Sequence, residues 1–149
     1  MKPEFPLISI YKDRALFIYN SDKKFRRITT YTFLEQGHDE NKLYDKNGNI
    51  WTFVFVNAKV KDNSLTRFLA NTVYNPGINV DLDWKLIGKH NVESLKQDLF
   101  NAIDKEEDDI ITQFEDSETI KSKLSSCDTF QKIVDTLIKL VFKNFTADT

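Results

Sequence analysis

Apolar positions along this 149-residue chain repeat with two different periods, and one gives way to the other past the middle. In the first half they alternate with a period near two among β-branched and aromatic residues, which predicts strands; in the last third they recur at spacings of three and four, which predicts helices. Pro6-Leu-Ile-Ser-Ile-Tyr11 and Ala15-Leu-Phe-Ile-Tyr-Asn20 read as two strands joined by the polar turn Lys12-Asp13-Arg14. Ser21-Asp22-Lys23-Lys24 reads as a loop and Arg27-Ile-Thr-Thr-Tyr-Thr-Phe-Leu34 as a third strand. After a polar break from Gly37 to Asn41, Lys42-Leu-Tyr-Asp45 and Ile50 to Val56 flank Lys46-Asn47-Gly48-Asn49. Asn-Gly is a strong hairpin signal because both residues tolerate positive φ.

Ser64 to Tyr74 is predicted to be a short helix capped by Ser64, with Leu65, Phe68 and Leu69 on one side, and Asn75-Pro76-Gly77 ends it. Ile78 to Trp84 alternates strictly, as a half-buried strand does. Two or three helices follow. Asn91 caps one that carries Val92, Leu95, Leu99 and Ile103; Asp116 or Ser117 starts a shorter one with Ile120 and Leu124. Asp128 begins the last, with Phe130, Ile133, Val134, Leu137, Ile138 and Val141 as its apolar stripe and Gln131 placed for a capping box. No repeat or linker divides the chain, so residues 1–149 are expected to form one domain. The predicted class is α+β: a twisted antiparallel sheet of about five or six strands, N-terminal, packed against C-terminal helices.

The strands carry two kinds of face. Ile50 to Val56 sets Ile50, Thr52, Val54 and Val56 against Trp51, Phe53 and Phe55, so both faces are apolar and the strand is expected to be central. Leu16 and Ile18 stand against Phe17 and Tyr19 in the same way, and Ile28 and Leu34 against Tyr31 and Phe33. An aliphatic and an aromatic face result, one of which the helices can cover. An open aromatic face beside Arg14, Lys23, Lys24, Arg26 and Arg27 would stack single-stranded bases. The readier reading is core, since large exposed apolar patches are rare on monomers.

Composition narrows the picture. Four glycines, three prolines and one cysteine exclude collagen and a disulfide scaffold, and 40% hydrophobic residues suffice for a core. The net charge of −2 argues against a generic nucleic-acid coat. That charge is unevenly divided: residues 1–74 carry +4 and residues 75–149 carry −6. A lone Cys127, no signal-peptide core and no membrane-length apolar run predict a cytoplasmic protein that makes no membrane contact.

Candidate chemistry is thin. His38-Asp39-Glu40 looks like a fragment of a metal site but lacks a spaced partner, so no metal or cofactor is expected. His90 is the only other histidine. Asp45-Lys-Asn-Gly-Asn resembles the start of a calcium loop, yet the position for the bidentate Glu is Val56. Cys127 at a helix start would be a nucleophile only with a base beside it. No glycine-rich phosphate loop is present. An enzyme using His38 or His90 with nearby carboxylates remains a third reading, without a pairing that fixes roles; the expectation is no catalytic activity.

The distinctive polar feature is acidic: Asp104-Lys-Glu-Glu-Asp-Asp109, then Glu115, Asp116 and Glu118. Negative charge at a helix C-terminus opposes the helix dipole. A run placed at that cost suits the docking of a basic partner, whose approach it would steer. The expected partner-binding residues are Glu106, Glu107, Asp108, Asp109, Glu115 and Asp116.

Four segments together resemble small bacterial immunity proteins, which are encoded beside polymorphic or contact-dependent toxins. They are Pro6-Leu-Ile-Ser-Ile-Tyr-Lys-Asp13, Leu16-Phe-Ile-Tyr-Asn-Ser21, Leu43-Tyr-Asp-Lys-Asn-Gly-Asn-Ile-Trp51 and Ser126-Cys-Asp-Thr-Phe-Gln-Lys-Ile-Val134. The resemblance implies a non-catalytic cytoplasmic inhibitor that binds one cognate toxin, and a basic nuclease toxin would suit the acidic run. The alternative, from a different class, is a single-stranded nucleic-acid-binding module using the aromatic face and basic loops.

Overall fold

A computed structural model of the chain describes residues 1–11, 16–35, 41–60, 62–72, 74–106 and 109–142. Five strands form an antiparallel sheet: β1 (Leu7–Ile10), β2 (Leu16–Tyr19), β4 (Lys42–Tyr44), β5 (Asn49–Val56) and β7 (Asp81–Lys89). Their order is β2-β1-β4-β5-β7, and a separate ribbon pairs β3 (Arg27–Thr29) with β6 (Gly77–Asn79). Two short helices, α1 (Lys23–Arg26) and α2 (Thr30–Leu34), flank β3, and α3 (Ser64–Thr72) precedes β6. The chain ends in α4 (Val92–Asp104), α5 (Ser117–Ser125) and α6 (Phe130–Leu140). The class is α+β, with strands first and helices last, as the two periods predict.

Successive side chains of a strand point to opposite faces, and that alternation divides the interior. Ile8, Leu16, Ile18, Tyr44 and Ile50 meet Leu95, Leu99, Ile103, Ile120, Leu124, Ile133 and Leu137 of α4, α5 and α6. Each fully buried aliphatic side chain there contributes about 1.5–3 kcal/mol relative to exposure. On the other face Leu7, Leu43 and Trp51 are covered by Phe25 of the one-turn α1, with Tyr19, Phe53, Leu82 and Trp84 packed around them. The C-terminal helices therefore cover the aliphatic face, and β5, paired on both edges, is central.

The β4–β5 hairpin turns at Asn47-Gly48 as expected, with Gly48 at φ 78°. A side chain there would be strained, and its Cβ would also stand 2.9 Å from the His90 carbonyl. The buried Asp45 carboxylate organises the turn, accepting from the amides of Asn47 and Asn49 at 2.9 Å each and from Trp51 Nε1 at 2.8 Å. Burial pushes the Asp45 carboxyl up, but the hydrogen bonds from Asn49, Trp51 and Asn47 outweigh it and hold the group below its usual range.

Several elements differ from expectation. The strand over 27–34 stops at Thr29, because its partner β6 begins only after Pro76, which has no amide to donate. Thr29 then caps α2, its side chain accepting from the Thr32 amide at 3.2 Å. The loop over Ser21–Lys24 instead enters α1 at Lys23. Asn63, not Ser64, caps α3 by accepting from the Thr66 amide at 2.9 Å. Leu65 and Phe68 share a side, but it faces outward, while Ala70 is buried. The strand over 78–84 is split at Val80, whose amide donates to the Arg26 carbonyl, and its second part runs on to Lys89. Thr129, not Asp128, caps α6; Asp128 pairs with Lys132 at 2.6 Å, and Gln131 donates to Asp135 rather than closing a capping box. Asn91 does cap α4, in a reciprocal box with Ser94. The turn Lys12-Asp13-Arg14 lies outside the described residues. No helix among the described residues is long and apolar enough to cross a membrane.

Candidate functional site

The connection from α4 to α5 holds the acidic run. It is built around Glu106, whose carboxylate turns inward and accepts from the Ile111 amide and, at 3.3 Å, from the Thr112 amide. A carboxylate that collects backbone N–H groups fixes a loop as a cap fixes a helix end. Ile111 is then driven into the helical core, 2% exposed, which leaves its neighbour Ile110 outside at 64%. Asp109 takes φ 51°, a left-handed conformation that Asp adopts more readily than most residues.

The far end of the loop is equally determined. Asp116 caps α5, accepting from the Thr119 amide at 2.9 Å and the Thr119 hydroxyl at 2.8 Å. Those bonds hold the Asp116 carboxyl below the usual range. Glu115 accepts from the Asp116 amide, and Lys121 of α5 pairs with Asp104 of α4, tying the two helices together behind the loop. Phe114 stands half out of the surface, 38% exposed. Between fixed ends the loop thus presents two large apolar side chains, Ile110 and Phe114, among Asp109, Glu115, Asp116 and Glu118.

Of the six expected partner-binding residues, the structure brings Glu106, Asp109, Glu115 and Asp116 into this one connection. Glu106 and Asp116 serve it from within, as clamp and cap, while Asp109 is exposed. Glu107 and Asp108 lie outside the described residues. Ile110 and Phe114 were not anticipated. The signal in the sequence was two apolar residues set in an acidic stretch with no helical period to bury them.

The other candidates have structural surroundings. His90 Nε2 contacts the Asp45 carbonyl at 2.8 Å, and its ring packs between Tyr44 and Phe130. Tyr44 donates to Asp98 of α4 at 2.5 Å, so hairpin and helix are joined there; burial and that bond together push the Tyr44 hydroxyl far up. Cys127 is buried, its thiol 3.4 Å from the Lys123 carbonyl and 3.3 Å from the Thr136 hydroxyl. Asp45 is the centre of a hairpin turn. His38, Asp39 and Glu40 lie outside the described residues, among which no group of His, Cys, Asp and Glu could hold a metal ion.

The aromatic face is largely spent on itself. Phe25 stacks at 4.3 Å from Tyr19 and 4.9 Å from Phe53, and Phe53 lies 5.1 Å from Trp84. Of the neighbouring cations, Arg26 is forked onto Asp22 and reaches Asp81. A cleft of about 280 Å³ remains beside these rings, lined by Tyr11, Tyr19, Phe25, Phe53 and Phe55.

Comparison of the chain with family models, with curated proteins and with solved structures gave no match.

Proposed function

We propose that this chain is a non-catalytic, protein-binding inhibitor, an immunity protein that neutralises a cognate bacterial toxin, and that the α4–α5 loop is its contact surface for a basic partner. The observation that carries the reading is the exposure of Ile110 and Phe114 on an acidic loop fixed at both ends. Binding energy at protein interfaces concentrates in a few large side chains near the centre, and a charged surround sets on-rate and register. Ile111 and Thr112 held by Glu106, and the α5 start held by Asp116, leave less conformational entropy to lose at these positions on docking and so more of the contact energy as affinity.

The charge part of the reading is tested by reversing Glu107, Asp108 and Asp109 to Lys and measuring association with the product of the adjacent gene. The variant should associate more slowly at low salt, and the difference should shrink as ionic strength rises. Equal association rates at all salt concentrations would remove the acidic loop from the interface.

A further inference from the structure

The sheet ends in an exposed edge strand. β7 is nine residues long, is paired on one side with β5, and among the described residues has no partner along its other side. Its register places Leu82, Trp84 and Leu86 opposite Phe55, Phe53 and Trp51, on the aromatic face; Asp83 and Lys85 stand opposite Val54 and Thr52, on the other. Ile87 is the extra residue of a bulge between the Trp51–Leu86 and Ile50–Gly88 pairs, so the regular stretch of the edge is 81–86.

The charges on this edge are divided in use. Asp81 is held by Arg26 and Asn57, and Lys89 by Asn49. The side chains of Asp83 and Lys85, exposed and two residues apart, make no ion pair or hydrogen bond with the described residues. Lysine on an edge strand ordinarily deters pairing. Here an antiparallel second copy would answer it, because the strand is acidic in its first half and basic in its second.

We propose that β7 is a self-pairing edge, through which two copies of the chain associate antiparallel about a two-fold axis at Trp84. In that register Asp83 of each copy stands opposite Lys85 of the other, and Leu82 opposite Leu86, with the opposing pairs of the regular stretch 82–86 on the same face. The neighbouring registers are worse. An axis at Leu82 sets Asp81 against Asp83. An axis at Asp83 sets Asp83 against itself and answers Lys85 only with Asp81, already held by Arg26 and Asn57. An axis at Lys85 sets Lys85 against itself and Asp83 against the bulged Ile87. An axis at Leu86 sets Lys85 against Ile87, whereas at Trp84 the bulge falls only at the end of the paired stretch. The symmetry makes each charge contact occur twice.

Analytical ultracentrifugation of the full chain over a concentration series tests this, with Asp83→Lys, Lys85→Asp and the double reversal beside the wild type. The wild type should show a reversible monomer–dimer equilibrium. Each single reversal puts like charges opposite at two symmetric places and should weaken the dimer by about tenfold or more, and the double reversal should recover it. Both side chains are exposed, so at concentrations low enough for the wild type to be monomeric all variants should melt with it by circular dichroism. A wild type that is monomeric at every concentration reached would overturn the proposal. So would a dimer indifferent to the single reversals, or a double reversal that fails to recover association.

Discussion

The hairpin turn at 45–49 and the loop at 105–116 use the same device to different ends. In each, one carboxylate gathers backbone amides: Asp45 takes those of Asn47 and Asn49, and Glu106 those of Ile111 and Thr112. Asp45 also takes the indole of Trp51, so its turn is locked into the sheet, and what it shows to solvent is polar. Glu106 instead fixes a loop that sends Ile111 inward and leaves Ile110 and Phe114 outside. Two large apolar side chains left in solvent cost solubility and, unlike Ile111, add nothing to the core. The comparison therefore separates a turn whose whole surroundings serve the fold from a loop that also leaves two apolar side chains in solvent, the feature on which the proposed contact rests.

The largest expected effect lies in the hairpin. Asp45→Ala strands the Trp51 indole and two amides and should cost about 3 kcal/mol of stability, read from denaturant unfolding. Next comes the display: the double variant Ile110→Ala, Phe114→Ala should lose about 2 kcal/mol of partner affinity, roughly thirtyfold, and less stability than Asp45→Ala loses. Loss of stability without loss of binding would erase the distinction between the two loops. Glu106→Gln keeps the shape of the clamp but not its charge and should cost about 1 kcal/mol of stability, while slowing partner association by loosening the loop.

Acid provides a milder probe of the same contrast. The folded-state Asp45 carboxyl titrates below its unfolded value. Its contribution is therefore complete above the unfolded range near pH 4 and is lost as pH falls through the folded-state value. The wild type should destabilise on acidification below about pH 4, and Asp45→Asn should flatten that part of the curve. An unaltered pH dependence in Asp45→Asn would show that the turn does not hold its carboxylate in the charged form.

What could be read from the sequence was whatever local chemistry decides. Asn47-Gly48 fixes its hairpin and Asn91 its cap within four residues of themselves, and the stripe from Phe130 to Leu137 fixes its helix. The 27–34 segment failed because its composition suits a strand while its pairing depends on Gly77–Asn79, far along the chain and limited by Pro76. Thr129 and Asp128 are both good caps, and only the backbone of the folded chain chooses. The acidic run was visible as charge. That Glu106 turns inward, and that of two adjacent isoleucines one is buried and one displayed, depends on where Ile111 meets the helical core, and no period marks it.

The most direct test sets wild type and the Ile110→Ala, Phe114→Ala variant side by side as baits, in native lysate and against the co-expressed product of the adjacent gene. The account predicts one basic protein retained at equal stoichiometry by the wild type, resistant to nuclease, and lost by the variant. Equal retention by both baits, or nuclease-sensitive recovery of many proteins, would contradict it.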